Sequence, residues 1–109
     1  MKILFDQGTP VPLRKIFTAH EVRTAFEMSW GTLSNGELLQ KAEDFGFNLL
    51  ITTDQNLSYQ QNLSQRKIAV IVLSATSWLR IQNVIPEILQ SVSSIQSNEF
   101  IQVEVPYLA

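Results

Sequence analysis

The chain has 109 residues, 45% of them hydrophobic and 17% charged, a composition that suits one globular domain and excludes an intrinsically disordered chain. No cysteine is present, so disulfides and thiolate metal sites are excluded, and no run of about 18 apolar residues could span a membrane. A net charge of −2 and a pI of about 5.2 exclude a broadly basic nucleic-acid-binding face and leave only local patches for that purpose.

In chain order, "KILF" (2–5) reads as a short buried strand. Asp6, Gln7 and Gly8 interrupt the apolar run, so no signal peptide is expected and the expected compartment is the cytoplasm. "VPLRKIF" (11–17) reads as a short helix with Leu13, Ile16 and Phe17 on one side. "EVRTAF" (21–26) alternates, with Val22, Thr24 and Phe26 facing one way, as a half-exposed edge strand does. "MSWGTLSNG" (28–36) is a loop by its Ser, Gly and Asn content. In "ELLQKAEDFG" (37–46) the residues Leu38, Ala42 and Phe45 stack at helical spacing, and Gly46 supplies a stop.

"NLLITT" (48–53) is a continuous apolar run, as a strand covered on both faces requires. "QNLSYQQNLSQ" (55–65) has the pattern of a weak polar helix carrying Leu57 and Leu63. "IAVIVL" (68–73) is a second fully apolar strand. "NVIPEILQSVSSI" (83–95) is helical, with Ile85, Ile88, Leu89, Val92 and Ile95 as its stripe and Pro86 in the first turn. "FIQVEV" (100–105) alternates and closes the chain as an edge strand. The regular alternation of strands and helices predicts a single α/β domain over residues 1–109. Its sheet is mainly parallel, in three layers with helices on both faces, and strands 48–52, 68–73 and 2–5 are central.

The acids have a pattern of their own. Ligands of open α/β sheets bind beyond the carboxyl ends of the strands. Asp6 follows the first strand and Asp54 follows "NLLITT". In a 2-1-3 strand order these two strands are neighbours, about 4.8 Å apart, and their carboxylates converge. Two converging carboxylates raise one pKa or bind a divalent cation, and hard oxygen ligands favour Mg²⁺ or Mn²⁺. Glu37 is a third candidate ligand, but "SNGE" (34–37) also fits a capping box in which Glu37 bonds back to the helix start. Asp54 has a competing role too, as cap of a helix beginning near Asn56. Asn56 is either an oxygen ligand or a turn residue. Trp30, in the 28–36 loop, is a core residue or a cleft wall. His20 is the single histidine, and no Ser-His-Asp arrangement, GxGxxG or P-loop is present.

With these motifs in place, the chain resembles a family. "ILFDQGTP" is similar to the L-L-D-E-N-x-P start of PIN-like domains of the DUF5615 type. "SNGELLQKAEDFGFNLLITTDQN" is similar to that family's S-D-x-E stretch running into T-x-D-x-[DN], and "IAVIVL" fits the strand that follows. The resemblance covers nearly the whole chain in order and spacing. It implies a PIN-like fold, an acidic cluster holding Mg²⁺ or Mn²⁺, and metal-assisted hydrolysis of RNA phosphodiesters. Many small bacterial PIN domains are toxins of toxin–antitoxin pairs, so it also implies a small antitoxin-like protein as partner. Carried over by position, Asp6 and Asp54 are direct ligands, Glu37 a ligand or supporting group, and Thr52 a hydrogen-bonding support. Gln7, Asn35 and Asn56 stand where the family has acids in many members. Each keeps an oxygen and removes a charge, so a retained fold with weakened metal binding and catalysis is expected.

Two rivals accompany this reading. A phosphoacceptor domain of the receiver type also carries acids after its first and third strands. It needs a second acid beside Asp6 and a Lys after its last strand, where this chain has "VEVPYLA". A non-catalytic PIN-like module acting through a protein partner is favoured by the three amides and the acidic pI. Arg14, Lys15, Arg66, Lys67 and Arg80 are the cations available for an RNA track, with Arg14 and Lys15 nearest the first strand's end in sequence. The two edge strands offer surfaces for a homodimer.

Overall fold

A computed structural model describes residues 1–57 and 66–107. Five strands, β1 (Lys2–Phe5), β2 (Glu21–Thr24), β3 (Leu49–Thr52), β4 (Ala69–Leu73) and β5 (Phe100–Val103), form one sheet in the order β2-β1-β3-β4-β5. Every neighbouring pair is parallel. The α/β class, the three layers and the central position of β1, β3 and β4 are as the sequence predicts. Among the described residues no helix is long and apolar enough to cross a membrane.

The pleat sorts the apolar runs into two cores. Ile3, Phe5, Leu49, Ile51, Ala69, Ile71 and Leu73 face one side. There they meet Leu13 of a 3₁₀ helix (Val11–Ile16) and Phe17 just after it, with Ile81, Val84, Ile88 and Val92 from the helical stretch before β5. That stretch comprises α2 (Trp78–Ile81), a 3₁₀ turn and α3 (Ile85–Ser94). Leu4, Leu50, Val70 and Val72 face the opposite side, against Leu38, Leu39 and Ala42 of α1 (Asn35–Asp44). Trp30, Phe47, Leu57 and Ile68 complete that second core. Both faces of β3 and β4 are covered, which is why their sequences show no alternation. Each fully buried Leu or Ile contributes roughly 1.5–3 kcal/mol of transfer free energy.

Several side chains depart from the expected pattern. Helix α1 starts at Asn35, two residues early, because Ser34 caps it, and its inward residues are Leu38, Leu39 and Ala42. Phe45 lies past the last turn and is 52% exposed, with its ring against the edge of Trp30. Leu89 of α3 is also exposed, leaving Ile88, Val92 and Ile95 as the buried stripe. Strand β2 ends at Thr24. A turn there reverses the expected facing, so Ala25 is buried and Phe26 is exposed. Helix α2, four residues long, has no periodic signature in the sequence. Of the helix expected at 55–65, Leu57 is buried in the α1-side core. Residues 58–65, with Leu63, lie outside the described part.

Candidate functional site

The site follows from register. Phe5 of β1 lies beside Ile51 of β3, and the Asp6 N–H continues that ladder by donating to the Ile51 carbonyl at 3.0 Å. One residue beyond this pairing, Asp6 comes level with Thr52. Both side chains point to the α1 side of the sheet, the side shared by Leu4 and Leu50. The Thr52 hydroxyl, fully buried, donates to Asp6 Oδ2 at 2.8 Å. The same oxygen accepts from the Asp54 backbone N–H at 3.1 Å. One hydroxyl therefore ties the two acids together across neighbouring strands.

Among the described residues, each carboxylate oxygen of the pair has one protein donor. Asp6 Oδ1 accepts from the Gln7 N–H at 2.8 Å, and Asp54 Oδ1 accepts from the Asn56 N–H at 3.0 Å. Asp54 Oδ2 accepts from the Asn35 side-chain amide at 2.8 Å. A carboxylate offers about four lone-pair sites, so the described residues occupy roughly half of them. The position is the β1/β3 boundary, where successive connections run to opposite sides and open sheets bind their ligands.

The other expected residues are placed as follows. Glu37 completes a capping box. Its carboxylate accepts from the Ser34 N–H at 3.1 Å while Ser34 Oγ accepts from the Glu37 N–H at 3.3 Å. The Ser34 backbone bond, with a lesser contribution from the Ser34 side chain, holds the Glu37 carboxyl below its ordinary pKa. Glu37 is not gathered with the two aspartates: among the described residues, no three His, Cys, Asp or Glu side chains form a set that could hold a metal ion. Asp54 does make the turn expected of a helix cap, through Asn56 and through the Leu57 N–H to its carbonyl at 3.2 Å. Asn56 contributes its backbone, and Asn35, the first residue of α1, contributes its side chain. The Gln7 side chain lies against Gly31. A Cβ there would sit 2.5 Å from the Gln7 amide nitrogen, so this glycine permits the close approach of loop and site.

Trp30 packs in the core with Phe45 and Phe47 and does not wall the cleft. The cations are largely committed elsewhere. Arg14 pairs with Glu27, whose carboxyl is held below its ordinary pKa mainly by that side-chain bond. Arg66 bonds Gln40 at 3.0 Å and lies 3.7 Å from Glu43. Arg80 grips the Val105 and Pro106 carbonyls and stacks on Tyr107. Lys15 is exposed. Lys67 lines a separate cavity of about 520 Å³ with Met1, Phe47 and Asn48, at the opposite ends of the strands.

Two features had no sequence signal strong enough to find them. Thr9, nearly fully buried, donates its hydroxyl to the Ile51 carbonyl at 2.9 Å and pins the turn after Asp6. A cleft of about 450 Å³ opens beside Asp6, lined by Gln7, Thr9, Val11, Thr24 and Phe26. Its walls come from two loops distant in sequence. Comparison of the chain with family models, curated proteins and solved structures finds no match.

Proposed function

We propose that this chain is a PIN-like domain that binds a divalent cation, Mg²⁺ or Mn²⁺, between Asp6 and Asp54 and hydrolyses RNA phosphodiesters with reduced efficiency. The observation that carries this reading is the Thr52 hydroxyl, which joins Asp6 to Asp54 at the carboxyl ends of two central parallel strands. The donor set suits such a cation. It is all oxygen and carries two negative charges, and the described residues occupy only about half of its lone pairs. Mg²⁺ is commonly held by one or two carboxylates with water and substrate phosphate completing its shell. When bound, the cation would activate a water and stabilise charge on the leaving oxygen.

The remaining work falls to the chain. Asp6 and Asp54 supply the anionic oxygens; Thr52 directs the Asp6 carboxylate and holds the Asp54 backbone. Asn35 holds Asp54 Oδ2 with its amide, at a position where an acid would add a third charge. Two carboxylates bind a cation more weakly than four or five, which is the source of the reduced efficiency. RNA cleavage assayed with Mg²⁺ and with Mn²⁺ tests the reading, comparing the parent with Asp6→Asn and Asp54→Asn. Loss of cleavage in both variants supports it, and cleavage that survives both places the activity elsewhere.

The amide at Asn35 and the separation of Glu37 from the aspartates favour one second reading. In it the domain is catalytically silent and acts through a small antitoxin-like protein partner. Absence of cleavage in the parent, with a stable complex formed by a purified partner, would favour it.

A further inference from the structure

We infer that the cleft beside Asp6 is a nucleobase subsite in which Phe26 stacks one base of a single-stranded RNA. The inference rests on the proposed function for the chemistry at Asp6, and the cleft itself supplies the rest. Asp6, whose carboxylate would hold a phosphate through the cation, lines the cleft together with Phe26 and Val11. Phe26 is 80% exposed and Val11 58%, and Thr9 and Thr24 line the same cleft. A cleft that brings together a carboxylate and an exposed aromatic ring matches the two halves of a nucleotide.

The ring is displayed by a fixed turn. Ala25 is buried beneath it, its N–H donating to the Phe5 carbonyl at 2.8 Å. The Trp30 N–H donates to the Ala25 carbonyl at 2.8 Å, and the Ser29 N–H to the Phe26 carbonyl at 3.0 Å. The Thr24 N–H and Thr24 hydroxyl are both bonded to Glu27, which closes the same turn. These bonds fix the backbone that carries the ring, and the exposed aromatic face is open to a base. Stacking is sequence-tolerant, because every base has a π-face. The acidic chain, with Arg14, Arg66 and Arg80 engaged internally, draws little affinity from phosphate contacts and depends correspondingly more on such stacking.

The test is fluorescence anisotropy with a labelled single-stranded oligoadenylate, its integrity checked on gels, and a matched strand of abasic nucleotides, both with Mn²⁺. Phe26→Ala is expected to weaken oligoadenylate binding by roughly 5- to 150-fold, the range of one lost base stack. Phe26→Trp is expected to bind at least as tightly as the parent, Phe26→Leu to resemble Phe26→Ala, and the abasic strand to be insensitive to all three changes. Mn²⁺ affinity, measured calorimetrically on the same proteins, is expected to stay constant. Equal RNA affinity in parent and Phe26→Ala overturns the inference, as do absence of RNA binding by the parent and an equal loss on the abasic strand. Mn²⁺ binding that Asp6→Asn abolishes would leave the proposed cation site standing in each of those cases.

Discussion

Replacing Thr52 with Val removes one hydroxyl and preserves nearly all of the side chain's shape. The residue is fully buried, and its oxygen makes two bonds: 2.8 Å to Asp6 Oδ2 and 3.1 Å to the Asp54 N–H. Loss of a hydrogen bond to a charged group costs about 1.5–3 kcal/mol, and an N–H left without its acceptor costs about 1–3 kcal/mol. The added methyl returns about 0.8 kcal/mol. Asp6 is only half-buried, so water restores part of its solvation. The net expectation is a loss of roughly 2–3 kcal/mol, a fall in Tm of roughly 8–15 °C for a chain of this size. Thr52→Ser is the control. It keeps the hydroxyl and deletes a buried methyl, at a cost of about 1 kcal/mol. The two variants separate in Mn²⁺ affinity: Thr52→Val is expected to bind about 10–100-fold more weakly, as loss of a ligand-orienting partner does, and Thr52→Ser as the parent does. Calorimetry on unfolding and on Mn²⁺ binding reads both quantities. A Thr52→Val protein that keeps the parent's Tm and Mn²⁺ affinity would refute the idea that this hydroxyl organises the site.

Other expectations follow from the same geometry. Ser34→Ala removes the capping oxygen from α1 and is expected to cost about 0.5–2 kcal/mol in denaturant melts. Because the folded Glu37 carboxyl titrates below its ordinary value of 4.5, its share of the cap is present above that pH. The share is lost as pH falls through the lowered value, so the stability difference between parent and Glu37→Gln should close on acidification. Asn35→Asp replaces the donor to Asp54 with a like charge. It is expected to lower metal-free stability by about 1–3 kcal/mol and to tighten Mn²⁺ binding, read by melting with and without the ion. Gly31→Ala drives a methyl into the Gln7 amide, and the Gln7 side-chain NMR signals should move while the core signals stay in place.

The site was legible where strand geometry alone decides position. Apolar runs without alternation had to be central, and a parallel order put Asp6 and Asp54 at neighbouring ends. The Ser34–Glu37 box was legible as a motif, although the sequence left open whether Glu37 also served the site. What stayed hidden depends on how the chain leaves its elements. Phe26 was assigned by extrapolating the period of β2 past Thr24, where a turn resets the facing. Phe45 and Leu89 fell on helical spacing but lie at a helix end and beyond the edge of a packed stripe. Trp30 sits in a loop by composition, yet its ring fills the core between Phe45 and Phe47, which no local signal predicts. The cleft beside Asp6 needs the turn after β1 and the turn after β2 together, and their proximity is a property of the fold.

The most direct test of the central claim is calorimetric titration of the metal-free protein with Mn²⁺, repeated on Asp6→Asn and Asp54→Asn proteins that melt cooperatively. The account predicts one Mn²⁺ per chain, bound more weakly than micromolar, and binding lost in both variants. Binding that survives either substitution, or none in the parent, would contradict it.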